Sequence, residues 1–262
     1  LAHGRDLITV RGLDVFGFHV SPALYLFVPL YRIGAGPNTL NVAMTAGLAL
    51  GAVAVFRAAR HHLGGEWPSL VLALAFLVNF AGQWMVWETF HPEVLAVTAL
   101  LFAYLAAVQG RWRAYALWVV LAPAWKEDVA LAVLMLGALL AVRGRRAVGW
   151  RFAEVGPART RLVGLVTVAG AAVWFVVATQ LVIPAFSSGG NFTEALFGDL
   201  GASPGENART MATEPSVAVE HLDRSAPWTY VGELTASFGF VPLLSPLALL
   251  LGLPQLLINL LA

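Results

Sequence analysis

Residues 111–146 read RWRAYALWVVLAPAWKEDVALAVLMLGALLAVRGRR. Two apolar runs, Trp112–Ala124 and Val129–Val142, flank the charged triplet Lys126-Glu127-Asp128, and arginines close the stretch at both ends. As one helix, residues 112–142 would span roughly 46 Å at 1.5 Å per residue and place the two arginine clusters on opposite sides of a membrane. Short arginine-rich loops stay on the cytoplasmic side. The stretch is therefore expected to fold back as a hairpin, with the triplet at its tip and both arginine clusters at its base. The first arm reaches only about 20 Å, less than a hydrocarbon core of about 30 Å. The tip is then sunk below the outer surface, where a water-filled cavity is expected to meet it.

The rest of the chain supports a membrane setting. It is 59% hydrophobic and 12% charged, with a mean hydropathy of +0.75, against roughly 25% charged in a soluble domain. A net charge of +1 argues against nucleic acid, which demands clustered excess cation. The absence of cysteine excludes thiolate metal sites and thiol catalysis. The chain starts at Leu1 without a signal-peptide pattern and stops inside LLINLLA, so it is read as one stretch of a longer membrane protein.

The fold class expected is all-α, a polytopic bundle forming a single transmembrane domain over 1–262. Spans are expected at Thr39–Ala59, Pro68–Val86, Pro92–Val108 and Leu162–Ile183. Leu13–Gly34, within an extracytoplasmic segment 1–38, suits a helix lying in the membrane interface. Transmembrane helices with a short re-entrant-like hairpin fill 39–183, and 184–232 is an extracytoplasmic loop segment. The C-terminal transmembrane segment 233–262 is broken by Pro242, Pro246 and Pro254. No internal repeat is visible.

Orientation follows from charge. Arg57 and Arg60, Arg111 and Arg113, and the group Arg143, Arg145, Arg146, Arg151, Arg159 and Arg161 share the cytoplasmic side of a plasma membrane. Glu88, His91 and Glu93, and the acid-rich segment 184–232, then face outward.

Three clusters converge on that outer face: Asp14 with His19, Phe90-His91-Pro92-Glu93, and Lys126-Glu127-Asp128. Ionisable groups at membrane depth cost about 2.5–3.5 kcal/mol each on insertion scales and commonly face a cavity or one another. Each also has an ordinary reading. Pro92 and Glu93 suit any helix start, as do Glu127 and Asp128 before Val129. Asp14 serves equally as a loop acid and His19 as an interfacial polar residue. Lys126 is the sole lysine in a chain whose other cations are arginines, and an ammonium is a compact charge suited to one phosphate oxygen. HExxH, GxSxG, Walker A and Rossmann patterns are all missing. Asn191-Phe192-Thr193 is read as a chance sequon.

HVSPALYLFVPLYR at 19–32, AVFRAAR at 54–60, FHPEVLA at 90–96 and WKEDVAL at 125–131, followed by RGRR, together resemble a large uncharacterised family of bacterial predicted membrane proteins. That domain of unknown function is similar in topology to the C-type (GT-C) glycosyltransferases, which draw sugar from a polyprenyl-phosphate carrier on the outer membrane face. The family usually carries an earlier helix and an Asp-bearing outer loop, of which the region around Asp14 is the remainder.

The resemblance implies a GT-C-like fold and transfer of sugar from a polyprenyl-phosphate donor, with membrane lipids as surroundings. Asp14 or Glu93 would accept the acceptor's proton, and Lys126 with His91 would offset charge on the leaving phosphate. His19, His91 and Lys126 would bind substrate. Glu127 and Asp128 would hold Lys126 or bind Mg²⁺ or Mn²⁺, which favour oxygen ligands. A transporter or lipid flippase, or a non-catalytic assembly subunit, is the competing class.

Overall fold

A computed structural model of the protein describes residues 7–8, 13–143, 157–187, 197–201, 203–222, 225–240 and 246–261. The described residues are helical apart from one two-residue ladder, Leu7–Ile8 against Leu13–Asp14. Three helical segments are long and apolar enough to cross a membrane: Asn38–Leu63, Glu66–Glu88 and Ala158–Phe186. Glu93–Val108, Val129–Val142 and Leu249–Leu261 are apolar but shorter. The chain divides into two compact units, one built from Val20–Val176, the other from Asp6–His19 and Val177–Ala262.

In the first unit, α3 (Asn38–Leu63) runs four residues past the expected Ala59. Arg60, His61 and His62 complement the negative end of its dipole, and Gly64, at φ 71°, closes it in the left-handed conformation. The next span is not one helix. It breaks into α4 (Glu66–Leu77) and α5 (Phe80–Glu88) at Asn79, whose side chain accepts the Gly82 N–H at 3.2 Å. The Gln83 amide reaches back to the Leu77 carbonyl at 2.5 Å, so both sides of the break keep their polar groups satisfied inside an apolar run. Asn79→Ala is expected to lower stability by about 1 kcal/mol, read as a fall in the thermal midpoint of the purified protein.

Packing contacts fix the helix directions. The hydroxyl of Thr98 on α6 (Glu93–Val108) donates to Gly47 O of α3 at 2.7 Å, and Met44, Leu48 and Val94 share a core cluster. Early residues of α3 thus meet early residues of α6, and the two run parallel. Against α6, α7 (Trp112–Trp125) is antiparallel: Ala96 and Ala99 cluster with Ala122 and Trp125, whereas Ala103 and Ala107 cluster with Tyr115. Trp125 shares a cluster with Val129 and Val133 of α8 (Val129–Arg143), and Tyr115 with Leu136 and Leu140. The expected hairpin is therefore present, with Lys126-Glu127-Asp128 between its arms. Arg57, Arg60, Arg111 and Arg113 lie toward one end of this bundle, while Glu88, His91, Glu93 and the triplet lie toward the other. Arg145, Arg146 and Arg151 fall outside the described residues.

Against α8, α9 (Pro157–Val177) packs antiparallel, Gly164 beside Gly137 and Ala141, and Ala171 with Val133. The Tyr115 and Thr167 hydroxyls hydrogen-bond at 3.0 Å across α7 and α9.

The expected interfacial helix over Leu13–Gly34 is corrected. It forms three pieces: α1 (Val15–Phe18), a 3-10 turn at Pro22–Phe27 and α2 (Val28–Arg32). Pro22 and Pro29 have no N–H to continue a preceding helix and instead start new turns.

In the second unit, the apolar run continues past Val177 through a π-turn at Ala178–Val182 into Ile183–Phe186. The extra residue of the π-turn lies just ahead of Pro184, where an α-helix would clash with the proline ring. The expected loop segment 184–232 is also corrected, because it holds helices at Pro204–Thr213, Pro215–Leu222 and, from Ser225, Ser225–Ser237. Ser203 caps the first, accepting the Glu206 N–H at 3.2 Å. The final helix, Pro246–Leu261, accommodates Pro254 in its interior and is tied to Tyr230 by an Asn259 hydrogen bond of 2.9 Å. Pro242, Asn191-Phe192-Thr193 and Glu194 lie outside the described residues.

Candidate functional site

Pro92 opens α6 and leaves Glu93 as its first residue, where a carboxylate meets the positive end of the dipole. Across from it, α7 ends at Trp125 and the backbone turns extended at Lys126. Lys126 Nζ donates to Glu93 Oε1 at 2.6 Å and stands 3.4 Å from Asp128 Oδ2. The lysine side chain is 17% exposed and that of Glu93 28%. Lys126 lies in the loop between the two helices. Burial alone would lower its pKa, but Asp128 and then Glu93 outweigh that and hold it above the ordinary lysine value. The lysine therefore stays protonated.

Glu127 faces elsewhere. It is buried, and its Oε2 accepts the Val20 N–H at 2.9 Å. His91 stands beside Glu93, its Nδ1 being 3.9 Å from Glu93 Oε2, while Nε2 lies 3.2 Å from Thr89 Oγ1 and 3.8 Å from Glu88 Oε2. The His91 backbone N–H donates to the sulfur of Met44 at 3.0 Å. Glu93 Oε2 is buried and has no hydrogen-bond partner. Its twin, Oε1, carries the bond to lysine.

Of the expected site residues, His91, Glu93, Lys126, Glu127 and Asp128 are brought together at one end of the bundle. Asp14 and His19 belong to the other compact unit. Asp14 Oδ1 accepts the Phe16 N–H at 2.9 Å and so caps α1, and His19 closes that turn with its ring edge-on to Phe18. Met44, Thr89 and the Val20 amide escaped the sequence reading. Thr89 adjoins the FHPE motif and was open to inspection, whereas nothing local marks Met44 or Val20.

Glu127 and Asp128, the suggested metal ligands, are turned to different partners. Glu127 is engaged by a backbone N–H and Asp128 by Lys126, and no three His, Asp or Glu side chains group to hold an ion among the described residues.

The model of a family described as "Predicted membrane protein (DUF2079)" matches residues 5–262. No curated protein and no solved structure matches the chain. With that match covering the site and nearly all of the sequence around it, and with three membrane-length helical segments among the described residues, the chain belongs to the DUF2079 family of predicted membrane proteins.

Proposed function

We propose that the protein is a membrane glycosyltransferase of GT-C type, moving a sugar from a polyprenyl-phosphate donor to an acceptor on the extracytoplasmic face of the plasma membrane. The observation that carries the reading is the divided Glu93 carboxylate, with Oε1 on Lys126 and Oε2 buried without a hydrogen bond. Oε2 takes the proton of the acceptor hydroxyl as the acceptor oxygen bonds to the anomeric carbon. The bond from that carbon to the phosphate oxygen breaks, and its electron pair leaves on the polyprenyl phosphate. An ammonium has three N–H donors; one is given to Glu93, Asp128 stands 3.4 Å away as an ion-pair partner, and a remaining donor offsets the charge gathering on the phosphate. His91 adds a donor beside it.

One observation favours a second reading, a structural clamp: the lysine charge is already matched by two carboxylates. The two readings separate in proteoliposomes containing the full-length protein and a radiolabelled polyprenyl-phosphate sugar. Glu93→Gln keeps an oxygen for Lys126 and removes the base, so transfer should fall about a hundredfold with an unchanged thermal midpoint. Undiminished transfer in Glu93→Gln removes Glu93 as the base, and no sugar release by the wild type from any such donor rejects the transferase reading.

A further inference from the structure

The segment Val20–Ile33 touches both halves of the charged site without contributing a charge to it. At its start, the Val20 N–H is bonded to Glu127, next to Lys126, across a sequence separation of 107 residues. In its middle, the Phe27 ring stands 5.9 Å from that of Trp125, the residue before Lys126. The same ring stands 6.4 Å from that of Phe90, the residue before His91. Val20, Ser21 and Ala23 are buried, whereas Tyr25, Leu26, Leu30 and Ile33 are exposed. The inner face is thus committed to the first half of α6 and the tip of the hairpin, and the outer face is apolar enough for lipid.

A buried carboxylate that accepts a backbone N–H holds that amide through a charge-assisted hydrogen bond, stronger than a neutral one. The bond from Glu127 reaches the point where the segment begins. Pro22 immediately follows and Pro29 lies farther on, so the segment is a chain of short turns rather than one stiff helix. Such an element moves as a strap when its end is released.

We infer that Val20–Ile33 is a lipid-facing strap gating the Glu93–Lys126 pair, and that Glu127 is the positioning residue that latches it shut. The inference sets the access route to the site of the proposed transferase, yet the latch stands on its own geometry and is tested without turnover. Opening the strap bares Lys126, which is 17% exposed when the latch is closed.

Lys126 being the sole lysine, a water-soluble amine-acylating ester reports the strap directly on the peptide that contains it. The full-length protein in nanodiscs should acylate slowly at Lys126. Glu127→Ala should raise the rate roughly tenfold, the loss of one charge-assisted hydrogen bond, and speed hydrogen exchange at the Val20 amide. Glu127→Gln removes the same charge but keeps an oxygen for Val20, so it should stay slow. Phe27→Ala, which leaves every charge in place, should also raise the rate. Equal acceleration by Gln and Ala would trace the effect to lysine basicity and overturn the latch, as would an unaltered Lys126 rate in both Glu127→Ala and Phe27→Ala. If Glu127→Ala fails to fold, the Gln and Phe27 variants decide alone. Failure of sugar transfer with a positive acylation result rejects the transferase and leaves the strap standing.

Discussion

Lys126→Ala is expected to cost about 3 kcal/mol of stability, a drop in thermal midpoint of roughly 10 °C. Removing the ammonium leaves Glu93, at the start of α6, and Asp128, in the hairpin tip, as two mostly buried carboxylates with their common counter-charge gone. That situation is worse than having no charges at all, because a desolvated ion without a partner loses its hydration and recovers nothing. The penalty should therefore shrink when the carboxylates are neutralised as well. Glu93→Gln/Lys126→Met should sit well above the sum of its single variants in a double-mutant cycle, with a coupling of about 1–3 kcal/mol. Thermal unfolding of the four proteins in one detergent measures it.

The same cycle bears on the site's chemistry. A large coupling means the pair holds the start of α6 to the hairpin tip, and a remaining ammonium donor is all that is left for a phosphate. A coupling near zero means the pair holds nothing together and its charges are reserved for a ligand. The ion pair at 2.6 Å makes Lys126→Ala a test of folding as well as of transfer, and Glu93→Gln becomes the cleaner probe of transfer.

How much of this was legible beforehand depended on which physical signal each feature carried. The hairpin could be read because charge placement and length agreed: arginines at both bases, a charged triplet between, and arms too short for a single crossing. Its arms match the observed helices to within one residue. The break at Asn79 was hidden because averaging over an apolar window conceals one polar residue, although an asparagine inside such a run is a cap signal. Ser203-Pro204-Gly205-Glu206 carries the capping-box spacing, yet the polar composition around it was read as loop. In the site, alternation of helices put Glu93 and Lys126 at one end of the bundle. Which carboxylate takes the lysine, and that Glu127 turns to the Val20 amide, depend on how helices pack, and no spacing in the sequence encodes that.

Two glycines six residues apart on α9 should respond to the same substitution with opposite signs. A methyl group added at Gly164 would lie 2.6 Å from Gly137 O and 2.9 Å from Ala141 Cα, both backbone atoms that no rotamer change can move. Small residues let two helices approach this closely where lipid supplies no hydrophobic force to drive them together. Gly164→Ala must push α8 and α9 apart, at a cost of about 3 kcal/mol, and Gly164→Leu should give no folded protein. At Gly170 nothing lies within 4 Å of the added methyl. There Gly170→Ala only narrows the unfolded chain's freedom and improves helix propensity, which should stabilise by about 0.5–1 kcal/mol. Because α8 carries the hairpin tip, a separation of α8 from α9 should also loosen Lys126, and Gly164→Ala should acylate there faster than Gly170→Ala. Equal midpoints for the two alanine variants would show that α8 and α9 do not meet at Gly137 and Gly164.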